Sequence, residues 1–368
     1  MQIYDYLQLM VKHQASDLFF SAGAQVGIKI EGNIRHLDSQ HTLTPQDVHA
    51  LAYAVMSDAK KAEFERDLEV NLGLSVDNLG RFRINIFHQR GAVSMVVRYI
   101  KSTIPSIEAL HLPPILKQLV MRPRGLILVV GATGSGKSTT LASMIDYRNE
   151  HASSHILTIE DPIEFAHKHK KSIVDQREVG LDTKSFAIAL SNAMREAPDV
   201  ILVGEIRERE TMQHAIAYSE TGHLCLSTLH ANNAYQTMDR IINFFPETAH
   251  HQLLLDLSLN LQAIISLRLV KGKSGKRVPA VEVLLNTPYI AELIQDGKIE
   301  DVRDAMSRGR ELGMQTFDQS LFDLYSAGEI SAEDAIEHAD SRNDLALRIR
   351  MTSPHDDLSD GLSIDLTN

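Results

Sequence analysis

Apolar and polar positions along the first hundred residues change period several times, and each change marks an element. From Tyr4 to Lys12 the apolar residues recur at helical spacing, which predicts a short amphipathic helix. Gln25 to Leu37 reads as two strands joined at Glu31-Gly32-Asn33. Thr44-Pro45-Gln46-Asp47 opens a helix, with Thr44 as cap, Pro45 in the first helical position and Asp47 answering the cap three residues on. Glu69 to Val76, Arg81 to His88 and Val93 to Ile100 alternate as strands, separated by turns at Asp77-Asn78-Leu79-Gly80 and Gln89-Arg90-Gly91-Ala92. Residues 1–100 therefore form a small α+β domain. Pro105, Pro113 and Pro114 break any helix across a linker at 101–114.

After the linker the pattern becomes that of an α/β core over 115–285. Leu126 to Val130, Ile156 to Ile159, Val200 to Val203 and Leu224 to Thr228 are short apolar runs, and helical stretches at Thr139 to Tyr147, Thr183 to Glu196 and Glu208 to Glu220 lie between them. Such alternation implies a parallel sheet covered on both faces, with ligands at the carboxyl ends of its strands. Leu253 to Val270 reads as one core helix, since Asp256, Asn260, Gln262 and Arg268 interrupt any membrane span. A C-terminal helical part follows at 286–340, with Ser331-Ala332-Glu333-Asp334 capping one helix, and it either offers an interaction surface or completes the core. Residues 341–368, with Asp356, Asp357, Asp360 and Asp365, are expected to form a disordered acidic tail.

Composition narrows the function. The 368 residues carry 37 Lys and Arg against 48 Asp and Glu, a formal charge of −11, which argues against a protein built to grip nucleic-acid phosphates. Cys225 is the single cysteine and sits in an apolar run, so it reads as a buried thiol, and neither a disulfide nor a tetracysteine zinc site can form. The N-terminus has neither the basic start nor the apolar core of a secretory signal. A cytoplasmic protein is expected.

The chemistry concentrates in Gly131-Ala132-Thr133-Gly134-Ser135-Gly136-Lys137-Ser138, which fills every fixed position of the G-x-x-x-x-G-K-[ST] phosphate loop between a strand and a helix. Gly131, Gly134 and Gly136 permit positive φ and close backbone approach, so that successive N–H groups surround phosphate oxygens at a helix N-terminus. Lys137 reaches the β- and γ-phosphates and Ser138 binds Mg²⁺, while Thr133, Ser135 and Thr139 complete the expected lining for ATP. Glu160, Asp161 and Glu164 follow one strand and Glu205 follows another, positions from which a carboxylate can hold Mg²⁺ or orient an attacking water. His223 and His230 flank a third strand and suit satisfied polar contacts or γ-phosphate sensing better than zinc. On the hairpin, Arg81 and Arg83 project from one face and the turn at Arg90-Gly91 brings Arg83 opposite Arg98. Like charges across an antiparallel pair are destabilising, which suggests an anion from outside the domain, though three solvated edge arginines fit the same spacing. Lys168-His169-Lys170-Lys171 reads as a solvated loop.

Taken together, the phosphate loop, the acidic box Ile159 to Phe165, the segment Ile201-Leu202-Val203-Gly204-Glu205 and the pair Thr221-Gly222-His223 and Thr228-Leu229-His230 resemble the type II/IV secretion ATPases, specifically the pilus retraction ATPases of the PilT/PilU branch. The resemblance implies a RecA-like core behind a PAS-like N-terminal domain, assembled as a homo-hexamer. It implies that Glu164 activates water, that Glu205 lies near Mg²⁺, that His223 and His230 form a histidine box, and that Arg81, Arg83 and Arg98 reach a nucleotide. Implied partners are a PilT-like ATPase and an inner-membrane pilus platform protein, at the cytoplasmic face of that membrane. The extra N-terminal domain of the extension ATPases is expected to be absent, and with a single cysteine their zinc module cannot form. Tyr289 to Asp296 lacks the two arginines that PilT-type enzymes carry there, which resembles the accessory, PilU-like type. An autonomous PilT-type motor, an ATP-binding regulatory partner and a nucleic-acid motor on the same core remain as alternatives.

Overall fold

The computed structural model describes residues 2–30, 32–37 and 41–352. Glu31 and the acidic residues Asp356, Asp357, Asp360 and Asp365 lie outside them. Contacts divide the chain into two units, the first running to Ile104 and adding Thr158–Lys170 and Val174–Asn192, the second comprising Pro105–Leu157, Lys171–Ile173 and the chain from Ala193. The two added segments were expected within 115–285; the ion pairs Arg81–Asp182 and Arg83–Glu178 tie the second of them to the first unit.

The first unit holds an antiparallel sheet of β1 (Asp17–Ser21), β2 (Gly27–Ile30), β3 (Asn33–His36), β4 (Glu69–Val76), β5 (Gly80–Gln89) and β6 (Ala92–Ile100), in the order β3-β2-β1-β6-β5-β4. Ahead of the helix Pro45–Tyr53, Thr44 Oγ1 accepts from Asp47 N at 3.2 Å and the Asp47 carboxylate accepts from Thr44 N at 2.8 Å, so the capping box forms as its sequence predicts. Along β5 burial alternates, sending Phe82, Ile84 and Ile86 into a core with Leu18, Phe20, Phe64 and Met95. Arg81 and Arg83 consequently share the opposite face. Directly paired residues carry that face sideways from Gly73 through Arg83 and Arg98 to Asp17.

A second, seven-stranded sheet contains β7 (Gly125–Val130), β8 (His155–Glu160), β9 (Ile173–Glu178), β10 (Val200–Val203), β11 (Leu224–Leu229), β12 (Leu261–Lys271) and β13 (Arg277–Leu285), in the order β13-β12-β7-β11-β10-β8-β9. β10, β11 and β7 run parallel, as the alternation implied, β12 joins β7 as a further parallel strand, and β13 returns antiparallel. Every residue of β7, β10 and β11 is buried, which is why these strands read as unbroken apolar runs. Cys225 lies among them, and burial pushes its thiol up to about 12.

Two expectations are corrected. Leu253 to Val270 is not one helix: the helix ends at Asn260, and Leu261 turns to φ −61°, ψ 135° to enter β12. Pairing Ile264 with Leu128 of β7 decides this, because a continuous apolar run fits a buried strand and a buried helix equally well. The tail does not begin at 341 either, since Arg342–Thr352 is a helix. Its Leu345 and Ile349, four apart and so on one face, are buried against Val270, Phe317, Leu321 and Ile330. The C-terminal helices therefore complete a core. Among the described residues, no helix is long and apolar enough to cross a membrane.

Candidate functional site

The parallel register of the second unit brings several of the candidate residues to one edge. Val130 pairs with Leu229 and Ser227 with Val203, so β7, β11 and β10 end at the same edge of the sheet. Gly131, His230 and Gly204-Glu205 begin the three loops that leave this edge, where open α/β sheets bind their ligands.

Backbone geometry explains the glycines of the phosphate loop. Gly131, Gly134 and Gly136 have φ of 143°, 78° and 99°. A Cβ on Gly131 would stand 2.5 Å from both Leu267 O and Ser135 Oγ. Gly136 caps the helix Lys137–His151 in the left-handed region, which aims the first helical N–H groups into the loop. Lys137 Nζ donates to Gly131 O at 2.8 Å and Ala132 O at 3.1 Å, bridging the loop from inside. Burial lowers its pKa, and the charge of Glu205 acts in the opposite direction. Ser135 Oγ is buried without a hydrogen-bond partner. A cradle only glycine can line, an orphaned hydroxyl and a helix N-terminus together fit a nucleotide's phosphates. Thr133 and Ser138 are exposed, and Thr139 is half-buried in the first turn.

Glu205 is held by both oxygens. Oε1 lies 3.0 Å from His230 Nε2, and Oε2 lies 2.8 Å from Arg207 Nη2. Thr228 Oγ1 donates to Gly204 O at 2.8 Å and fixes the turn that carries Glu205. His223 is a correction. It precedes β11, with its backbone carbonyl accepting from Gly125 N at 3.0 Å, whereas the phosphate loop leaves the other end of β7. The five residue steps from Leu224 to Leu229 span about 17 Å of strand. Within one chain His223 therefore cannot line the loop, and its Nδ1 sits 3.1 Å from Thr221 Oγ1 instead.

The first unit carries the other residues. Arg98 Nε donates to Asp17 Oδ1 at 2.8 Å, and Asp17 is only 3% exposed. This hydrogen bond, more than the surrounding charge, raises the pKa of Arg98. Arg83 lies 3.7 Å from Glu178 and Arg81 3.8 Å from Asp182. Arg83 and Arg98 do face each other, but the repulsion is offset from within the chain, so their pairing by itself requires no outside anion. Glu160 accepts from Thr158 Oγ1 at 2.6 Å and from Gln176 Nε2 at 3.2 Å, and burial pushes its pKa up to about 7. Glu164 is exposed and lies within electrostatic reach of Arg98 and Glu160.

Sequence reasoning missed Asp17, Gln176 and Glu178. Asp17 had a readable signal, a lone carboxylate entering the apolar run Leu18-Phe19-Phe20. For β9 the signal was absent, because Asp175-Gln176-Arg177-Glu178 has the polarity of a loop and the strand forms at the sheet's edge.

With this geometry in view, comparison with known proteins adds the following. The profile of the family described as Type II/IV secretion system protein matches residues 2–326. The chain is 50% identical over 374 residues to the type IV pilus ATPase PilU of Pseudomonas aeruginosa, covering 100% of this chain and 98% of that one. It is 44% identical to the pilus retraction ATPase PilT of the same organism, over 92% of this chain and 98% of that one. A crystal structure of the pilus retraction motor PilT with bound ADP superposes with a TM-score of 0.87 at 45% identity, over 94% of this chain and 98% of that one.

Proposed function

Because the chain belongs to the type II/IV secretion system protein family, we propose that it is an ATPase motor of type IV pilus retraction and twitching motility, of the accessory PilU-like kind that acts with a PilT-like ATPase. The observation that carries the reading is the shared strand edge, where the phosphate loop with its orphaned Ser135 hydroxyl meets Glu205 and His230.

In the proposed reaction, water attacks the γ-phosphorus of ATP, the bond to the bridging oxygen breaks, and ADP and phosphate leave. Lys137 moves from the loop carbonyls to the β- and γ-phosphates. Glu164 orients the water and takes its proton. Arg81, Arg83 and Arg98, presented by an adjoining subunit of a homo-hexamer, neutralise charge developing in the transition state. Ser138 through its hydroxyl, with the carboxylates of Glu205 and Glu160, would hold Mg²⁺, which would supply charge neutralisation on the phosphates. We read residues 101–114 as the hinge that converts hydrolysis into movement at the cytoplasmic face of the inner membrane, against the pilus platform protein.

Steady-state ATP turnover per subunit, measured against protein concentration for the wild type and Glu164→Gln, tests this. Turnover that rises with concentration and collapses in the variant supports a ring whose sites are completed between subunits. Turnover independent of concentration, or undiminished in Glu164→Gln, refutes it.

A further inference from the structure

We infer that Glu178 is a positioning residue that ties Arg83 to the segment bearing Glu164, one carboxylate oxygen serving each. The role assigned to Glu164 rests on the hydrolysis reading above; the bridge itself rests on geometry.

Glu178 ends β9 and is 1% exposed. Its Oε2 accepts from Ile163 N at 3.2 Å, the backbone immediately before Glu164. Its Oε1 lies 3.7 Å from Arg83 Nε. Two residues earlier on the same strand face, Gln176 Nε2 donates to Phe165 O at 2.9 Å, and its Oε1 accepts from His167 N at 2.7 Å. The backbone is thus anchored on both sides of Glu164 while the Glu164 side chain stays exposed.

Chemistry distinguishes the two anchors. Gln176 shows that an amide suffices to hold this segment, and a glutamine at 178 could equally accept from Ile163 N. A carboxylate buried this deeply is costly without countercharge, so its presence points to the arginine. Burial raises the pKa of Glu178, whereas the Ile163 N–H, Arg83 and Arg81 lower it and Asp182 raises it again. Yet 3.7 Å is too long for a hydrogen bond, so Arg83 is attracted to Glu178 without being locked to it. A phosphate of higher charge can draw Arg83 away. Glu178, left with the Ile163 N–H as its remaining close donor, then pulls harder on the backbone that carries Glu164. Arginine engagement and placement of Glu164 are linked through one side chain.

A double-mutant cycle of Glu178→Gln, Arg83→Ala and the pair, made in the full chain, tests the link. Two readouts are taken: kcat and KM for ATP, and backbone hydrogen exchange over 160–167 with and without a non-hydrolysable ATP analogue and Mg²⁺. Glu178→Gln should lower kcat about tenfold with KM within about twofold, and should add nothing once Arg83 is alanine. Glu178→Asp, which keeps the charge, should recover part of kcat. The analogue should alter exchange in the wild type and fail to do so in Glu178→Gln. Additive effects on kcat, a kcat within twofold of wild type, or an analogue response that survives in Glu178→Gln would each overturn the proposal. Should the wild type not turn over ATP, the hydrolysis reading falls, and the exchange cycle alone decides, non-additivity supporting the bridge and additivity overturning it. Should Glu178→Gln not fold, Arg83→Gln tests the other end: loss of the analogue response supports the link, and its persistence refutes it.

Discussion

Replacing Glu282 by glutamine should make the protein more stable at pH 8 and nearly leave it unchanged at pH 5. Glu282 lies on β13 at 3% exposure, and its Oε1 accepts from Ala234 N at 2.6 Å and Ser266 Oγ at 2.9 Å. Burial raises its pKa from the ordinary 4.5 to about 7, against the pull of those two hydrogen bonds and of Arg268, with the charge of Asp340 adding to the rise. The folded state therefore holds the proton more tightly than the unfolded chain. The favourable contribution is complete below pH 4.5 and is lost as pH rises through about 7. At 1.36 kcal/mol per unit, the interval from 4.5 to about 7 is worth about 3 kcal/mol. Glutamine keeps the accepting oxygen and the shape but never ionises. Differential scanning calorimetry should show the variant melting about 4 °C above the wild type at pH 8, converging towards it at pH 5. Curves that stay parallel across this range would refute the reasoning. A variant less stable at pH 8 than at pH 5, relative to wild type, would mean that Arg268 already stabilises the ionised carboxylate.

Two further substitutions test the two candidate clusters. Gly131→Ala should abolish binding of a fluorescent ATP analogue while leaving helix content by circular dichroism intact, because φ of 143° costs a side chain about 1–3 kcal/mol and the Cβ would meet Leu267 O, which belongs to β12 and cannot yield. Asp17→Ala should lower stability in urea titration by about 1–2 kcal/mol, since it leaves Arg98 beside Arg83 without its acceptor, and the half-exposed Arg98 recovers part of the loss from water. No change in the urea midpoint would show that the row of charges across this sheet is already balanced by solvent.

Local rules made much of the chain legible. The phosphate loop needs two glycines, a lysine and a serine or threonine in fixed places, so Gly131 to Ser138 announces itself without tertiary context. Thr44 and Asp47 cap a helix through contacts three residues apart, and the alternation along Arg81 to His88 fixes which side chains face the core. The unbroken apolar runs of β7, β10 and β11 likewise report burial on both faces. What remained hidden depends on partners distant in sequence. Leu261 to Val270 became a strand because β7 offered backbone groups to pair with, and an apolar run carries no mark of that offer. The helix at 342–352 exists because Leu345 and Ile349 found Phe317 and Ile330. Spacing showed that Arg83 would face Arg98, but not that Asp17 and Glu178 would answer their charge. The family resemblance implied His223 and His230 as one pair, although a strand must keep its two ends apart. Residue type and short-range spacing decided which chemistry the chain carries; only the pairing of strands decided which of those residues share an edge, because register is set by surfaces that meet after folding.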